Sequence, residues 1–194
     1  MMVKRGVLCL AAFLVVAAVP ASASDTGFYV GAGIGLASMD PNDFYPTLGD
    51  AVEEADFSFK AYGGYRLLKF LAVEAGYTDL GSPQWRERNV QGYQETLEVS
   101  VQGWHAFVVG ILPVGNAVDL YGKLGIMAWD TKITSVLLAE PVYSESSSGS
   151  DTAYGLGVGF WVGPNVTLRG EGEWFEIGDY GTVALFSVNV SYTF

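Results

Sequence analysis

Cysteine is almost absent from this sequence: the single one, Cys9, lies within the first ten residues. Disulfide frameworks and thiol catalysis are therefore excluded, and with one histidine, His105, no His/Cys metal centre can be assembled. Basic residues are scarce as well, 10 Lys and Arg against 21 Asp and Glu, for a formal net charge of −11. A chain this acidic lacks the clustered cations that phosphate contacts require, which excludes a nucleic-acid binder. Also missing is any apolar run of bilayer-spanning length, and no segment carries a helical period with caps. Yet half of the 194 residues are hydrophobic, 14% are aromatic and 25 are glycine, which excludes intrinsic disorder. So much apolar surface without helices to bury it needs another arrangement.

Residues 1–23 read as a cleaved secretory signal peptide. Lys4 and Arg5 form a basic start, residues 7–19 are unbroken and apolar, and Pro20 ends the run. That run falls short of the ~20 residues that cross a bilayer. Ala21-Ser22-Ala23 supplies the small residues of a cleavage site at Ala21 and Ala23. The mature chain is expected to be 24–194, one domain without cysteine. Loss of Lys4 and Arg5 makes it more acidic still.

Beyond residue 24 the dominant period is two. Phe28, Val30, Ala32, Ile34 and Leu36 share one face, and Tyr29, Gly31, Gly33 and Gly35 the other. The same alternation recurs over 57–66, 70–78, 118–129, 153–162, 166–175 and 184–194, and residues 97–112 complete eight strands. Long connections are expected at 38–56, 79–96 and 130–150. Short ones are expected at 67–69, 113–117 and 163–165, where Pro-Val-Gly-Asn and Gly-Pro-Asn carry turn chemistry. The last link, 177–181, is short for its side. One end of the hairpins is trimmed and the other elaborated.

A soluble barrel would put Lys and Glu on its second face. Here that face mixes glycine, aromatics and six isolated charges: Lys60, Glu74, Lys123, Arg169, Glu171 and Glu173. The pattern fits a narrow barrel turned inside out, with the apolar face in lipid and the polar face filling the lumen. A membrane demands closure, because an open sheet edge strands backbone polar groups in hydrocarbon. The expected fold is all-β, an eight-stranded antiparallel up-and-down transmembrane β-barrel. Aromatics at strand ends form two girdles, Phe28, Tyr65, Tyr192 and Phe194 at one rim and Phe57, Tyr77 and Trp174 at the other. Luminal glycines leave room for Tyr29, Tyr62, Tyr121, Trp129 and Trp161. Gly63, Gly122, Gly170 and Gly172 fall on the lipid face, and the sequence supplies no reason for them.

With these features in place, the chain resembles the OmpA-like outer-membrane barrel family. The resemblance rests on residues 72–81 (AVEAGYTDLG), 120–129 (LYGKLGIMAW), 168–174 (LRGEGEW) and 190–194 (VSYTF). It implies a Gram-negative outer membrane, periplasmic termini and long loops outside, among lipid and lipopolysaccharide. It implies that Val190, Tyr192 and Phe194 form the signal read by the barrel-assembly machinery. It also implies a luminal ion-pair network, in which Glu74, Lys123, Arg169 and Glu171 match the family's charge pattern. A lysine expected on the 97–112 strand is absent; Val109 stands there, and Lys60 compensates. The peptidoglycan-binding domain of better-known members should be missing.

The six luminal charges read first as a structural ion-pair core. His105 can face either way. The run Leu97, Val99, Val101 would turn it to lipid, whereas alignment on Pro113 turns it to the lumen. The lumen is preferred, with a bulge reconciling the two registers. Lipid-A deacylases of similar size need a His–Ser pair, and residues 104–107 (WHAF) offer none, so neither enzyme activity nor a cofactor is expected. Asp40, Asp43, Asp50, Glu53, Glu54 and Asp56 make the first connection acidic without a calcium-loop spacing. Residues 144–150 (SESSSGS) read as a flexible loop tip. The expected role is structural and surface-presenting, as a monomer whose loops meet a host or surface ligand. A small ion pore is the second reading, a lipid-A-modifying enzyme the third and a soluble ligand-binding barrel the fourth.

Overall fold

Alternation of side chains becomes strand wherever it is long enough to be paired on both sides. The computed structural model describes residues 26–39, 55–82, 84–88, 94–137, 140–178 and 181–194. Among these, the strands are β1 (Gly27–Met39), β2 (Ala55–Leu68), β3 (Leu71–Asp79), β4 (Gln84–Arg88), β5 (Gln94–Val114), β6 (Val118–Leu137), β7 (Glu140–Trp161), β8 (Val166–Glu176) and β9 (Thr182–Thr193). They pair in the order β3-β2-β1-β9-β8-β7-β6-β5-β4, all antiparallel, and a β3–β5 pairing closes the ring.

Nine strands make eight staves. β3 lies against residues 102–110 of β5 and β4 against residues 94–98, so the two run end to end along one neighbour. The chain is therefore the expected closed eight-stranded barrel with its third stave interrupted. At the interruption Gly81 adopts φ +85°, and a Cβ there would come within 2.8 Å of the Phe57 carbonyl oxygen. The Leu80 N–H still donates to the Val101 carbonyl at 2.9 Å, which holds the broken stave against β5.

Short turns at 69–70, 115–117 and 162–165 join the staves at one end. Gly115 takes φ +67° there, the left-handed conformation that glycine adopts without strain. The described termini meet at the same end, where the Phe194 N–H donates to the Phe28 carbonyl at 2.9 Å. The opposite end departs from expectation. Residues 130–137 and 140–150 are not a loop but continuations of β6 and β7, with Thr131 opposite Ser147 and Ala128 opposite Ser150. Residues 144–150, expected as a flexible tip, are strand. Backbone bonding to β6 holds them, not apolar burial, so their composition gives no strand signal. Likewise β4 and the start of β5 occupy part of 79–96. Ala21, Ala23, Asp40, Asp43, Asp50, Glu53 and Glu54 lie outside the described residues. Asp56 is described, and its carboxylate accepts from the Phe57 N–H at 2.7 Å and the Ser82 N–H at 2.6 Å.

The bulge expected in residues 97–112 is absent. β5 keeps one register against β6 from Glu95 to Val114, so Val99, Val101, His105, Phe107 and Val109 all face inward. The outward face is apolar over the middle of the barrel: Leu124 and Leu156 remain 64% and 65% exposed. A continuous apolar belt of that kind is stable in lipid and not in water. The girdles are packed rings. Phe28 and Tyr65 lie 4.5 Å apart at the turn end, and Tyr77 and Trp104 lie 5.4 Å apart at the other.

Candidate functional site

All six charges predicted for the lumen meet in one cluster. β2 supplies Lys60, β3 Glu74, β6 Lys123, and alternate positions of β8 supply Arg169, Glu171 and Glu173. Period-two geometry makes this possible, because residues i, i+2 and i+4 of a strand project to one face. The Lys123 ammonium reaches Glu74 Oε1 at 2.6 Å and Glu171 Oε2 and Glu173 Oε1 at 3.1 Å each. Lys60 Nζ donates to Glu173 Oε2 at 2.5 Å and also to Glu171 Oε2. Arg169 forks between Glu74 at 3.0 Å and Glu171 at 2.8 Å. Three cations thus face three carboxylates, each held by at least one partner from another stave.

Tyrosines complete the shell. The Tyr29 hydroxyl donates to Glu74 Oε2 at 3.1 Å, and the Tyr121 hydroxyl donates to Glu171 Oε1 at 2.9 Å while accepting from Arg169 Nε. The Arg169 guanidinium stacks 4.5 Å from the Tyr121 ring centre and 5.0 Å from that of Tyr62. Inward glycines make room for these rings: a Cβ on Gly157 would strike the Tyr121 ring, and one on Gly31 the Tyr62 ring. Three of the outward glycines have ordinary surroundings, with the nearest atoms 3.6 to 3.9 Å from a Cβ at Gly63, Gly122 and Gly170. Gly172 differs. The Trp174 and Phe186 rings close over it, 6.1 Å apart.

The polar pattern alone did not single out two further charges. Arg66 and Asp119 form a second buried pair at the turn end, at 3.1 Å, and Asp119 also accepts from Trp161 Nε1 at 3.0 Å. Both sit on the inward parity of β2 and β6, which was the signal available. They border a cavity of ≈ 50 Å³ together with Tyr29, Trp161 and Arg169. Arg66→Met should lower stability by about 1–3 kcal/mol, the cost of leaving a buried acceptor with fewer donors. The midpoint of urea unfolding in micelles measures this, and an unchanged midpoint would show the pair to be dispensable.

Above the charged cluster the lumen turns apolar. Leu80, Val99, Val101, Met127, Phe175, Ile177, Val183 and Leu185 are at most 1% exposed. His105 stands at the boundary, with Nδ1 3.2 Å from Thr78 Oγ1 and the ring 5.1 Å from that of Phe107. Val109 faces the lumen, where the family's lysine was expected. Among the described residues no group of three or more His, Cys, Asp or Glu could hold a metal.

Comparison with known proteins joins this geometry to a family. The model of the OmpA-like transmembrane domain matches residues 23–194. The chain belongs to the OmpA-like transmembrane domain family. Outer membrane protein A of Shigella flexneri is 26% identical over 194 residues, covering 96% of this chain and 53% of that protein. This OmpA-like chain thus spans about half the length of the curated relatives it matches. Among solved structures, Ail, the attachment invasion locus protein of Yersinia pestis, superimposes with a TM-score of 0.60 at 19% identity, covering 87% of this chain and 99% of that one. Neisserial surface protein A superimposes with a TM-score of 0.54 at 18% identity, covering 88% of this chain and all of the other. These likenesses concern the fold. The OmpA-like barrel is a Gram-negative outer-membrane protein, set among lipid and lipopolysaccharide.

Proposed function

We propose that this barrel is a closed membrane anchor that holds a β-ribbon platform at the cell surface and does not conduct ions. One observation carries the reading: the lumen is filled at two successive levels. The inner level is the Lys60–Glu74–Lys123–Arg169–Glu171–Glu173 cluster, whose charges already satisfy one another. The outer level is the apolar packing around Val99, Val101 and Leu80. An ion would have to break the first and dehydrate to pass the second. Short turns and both termini lie in the periplasm, and the extended ends of β4 to β7 lie outside. Val190, Tyr192 and Phe194 all point outward at the turn-end rim, which suits a lateral signal for the barrel-assembly machinery. The protein works as a monomer in this reading.

Ail has been crystallised with the heparin analogue sucrose octasulfate. The same class of ligand does not suit this chain, whose first connection, residues 40–54, carries five carboxylates and no Lys or Arg. A cationic or uncharged surface partner fits better. No catalytic role is assigned, because His105 points into the lumen between Phe107 and Phe175, away from the lipid face.

Refolded protein in planar bilayers tests the closed lumen. No stable single-channel steps are expected, and reproducible steps would overturn the reading in favour of a small pore. Mass spectrometry of lipid A with and without expression should show no difference.

A further inference from the structure

We infer that the outward face of the β5–β6–β7 extension is a docking face for the uncharged sugars of the surrounding lipopolysaccharide. This rests on the orientation proposed above. The face continues the lipid-facing surface without a break, because strand parity carries over. On β7, Tyr154 and Leu156 face lipid, and the same parity places Ser144, Ser146, Ser148 and Ser150 outward, all exposed. The register sets Asp130 and Gln102 beside Ser148, and Lys132 and Ser100 beside Ser146.

Height decides the occupant. The Tyr77–Trp104 girdle marks the edge of the hydrocarbon, and Trp104 is in register with Ala128 and, through it, with Ser150. Each further row adds about 6–7 Å along the strand and, at a strand tilt of about 35–45°, about 5 Å of height, so the rows at Ser146 and Ser144 rise past a headgroup layer of roughly 5–7 Å. What borders a barrel at that height in this leaflet is saccharide. The chemistry agrees. A phosphate-binding face would need clustered Lys and Arg, whereas here one cation, Lys132, stands against Asp130 and Glu98, and the rest are hydroxyls and an amide. Such groups both donate and accept, as sugar hydroxyls do. Single contacts of this kind are weak, and many lipopolysaccharide molecules held around one barrel make the contact effective.

The test is a titration of the full chain in micelles with dephosphorylated core oligosaccharide freed of lipid A, read by backbone amide shifts. Saturable shifts are expected over 130–132 and 144–150. The combined variant Ser144→Ala, Ser146→Ala, Ser148→Ala, Ser150→Ala should keep its heat-modifiable gel mobility and lose about tenfold or more in affinity. Inorganic phosphate should give no shifts at these positions. Silence toward the oligosaccharide overturns the inference, as do shifts that survive in the alanine variant. Shifts produced instead by an unstructured peptide would assign the extension to strand addition along β7, and would also overturn it. A separate arm labels Ser144→Cys on whole cells with a membrane-impermeant maleimide. Labelling with a silent titration removes the sugar assignment alone. Labelling only after lysis removes the orientation, and the sugar assignment with it.

Discussion

Lys123→Met is expected to lower the stability of the barrel by about 3–5 kcal/mol, the usual cost of stripping one partner from a buried ionic cluster. Among the described residues Lys123 alone touches all three carboxylates, Glu74, Glu171 and Glu173. Its loss leaves two cations against three carboxylates in a site where each side chain is at most 8% exposed. Glu74 retains Arg169 and Tyr29, and Glu171 retains Lys60, Arg169 and Tyr121. Among the described residues Glu173 then keeps Lys60 alone. The excess negative charge is buried, so bulk solvent offsets little of it. The urea midpoint in micelles, followed by tryptophan fluorescence, should fall without a change in slope. Glu74→Ala should act in the same direction through the opposite excess.

A double variant separates charge imbalance from lost packing. Lys123→Met combined with Glu74→Gln restores two cations to two carboxylates and keeps both side-chain volumes. Replacing a buried pair as a unit is often close to neutral, so the double variant should recover more than half of the single variant's loss. A double variant as unstable as Lys123→Met would mean that the geometry of the cluster matters more than its balance. The outer apolar level should stay packed in either variant. Loosening the charged cluster is therefore not expected to open a conducting path by itself.

How much of this was legible in the sequence depends on height along the barrel. Over the hydrocarbon span the lipid is apolar and the lumen polar, so each strand writes a clean alternation. β2, β3, β8 and the first half of β6 were readable residue by residue, and Lys60, Glu74, Lys123 and Arg169 could be placed inward. Above the girdle both environments invert. Ser100, Gln102, Asp130 and Lys132 face outward into polar surroundings, while Val99, Val101 and Ile133 face an apolar lumen. The alternation survives with its sign reversed. Read with one sign throughout, residues 97–112 require a bulge to put both Val99 and Trp104 in lipid. Read with the sign change, they need none, and the register is continuous. The same inversion hid the extension of β6 and β7, since Ser144 to Ser150 lack an apolar face altogether. Arg66 and Asp119 were visible on the inward parity, but only the closed ring shows that β2 and β6 bring them within 3.1 Å across the lumen.

Glycine follows the same division between inside and outside, and Gly125→Ala is expected to be among the most damaging methyl additions in the chain. A Cβ built on Gly125 would lie 1.8 Å from the Ala106 carbonyl oxygen and 2.9 Å from the Phe107 Cα, both backbone atoms of β5. No rotamer change relieves a contact with backbone, so β5 and β6 would have to separate where Phe107 pairs with Gly125. Overpacking in a well-filled interior typically costs 1–3 kcal/mol, and a clash confined to backbone belongs at about 3 kcal/mol or beyond. Gly122, three residues earlier on the same strand, is the internal control. It faces outward, and its Cβ would meet Leu156 Cδ2 at 3.6 Å, an ordinary contact. Gly122→Ala should fall within about 0.5 kcal/mol of wild type, or slightly above it, because alanine loses less backbone entropy on folding. The two variants add the same methyl group to the same strand, so propensity and hydrophobicity cancel between them. Urea midpoints give the comparison directly. If Gly125→Ala refolds too poorly for that, the fraction reaching the heat-modifiable form in cells supplies the same ordering. Equal behaviour of the two variants would show that the inner wall between β5 and β6 is looser than the 1.8 Å approach requires.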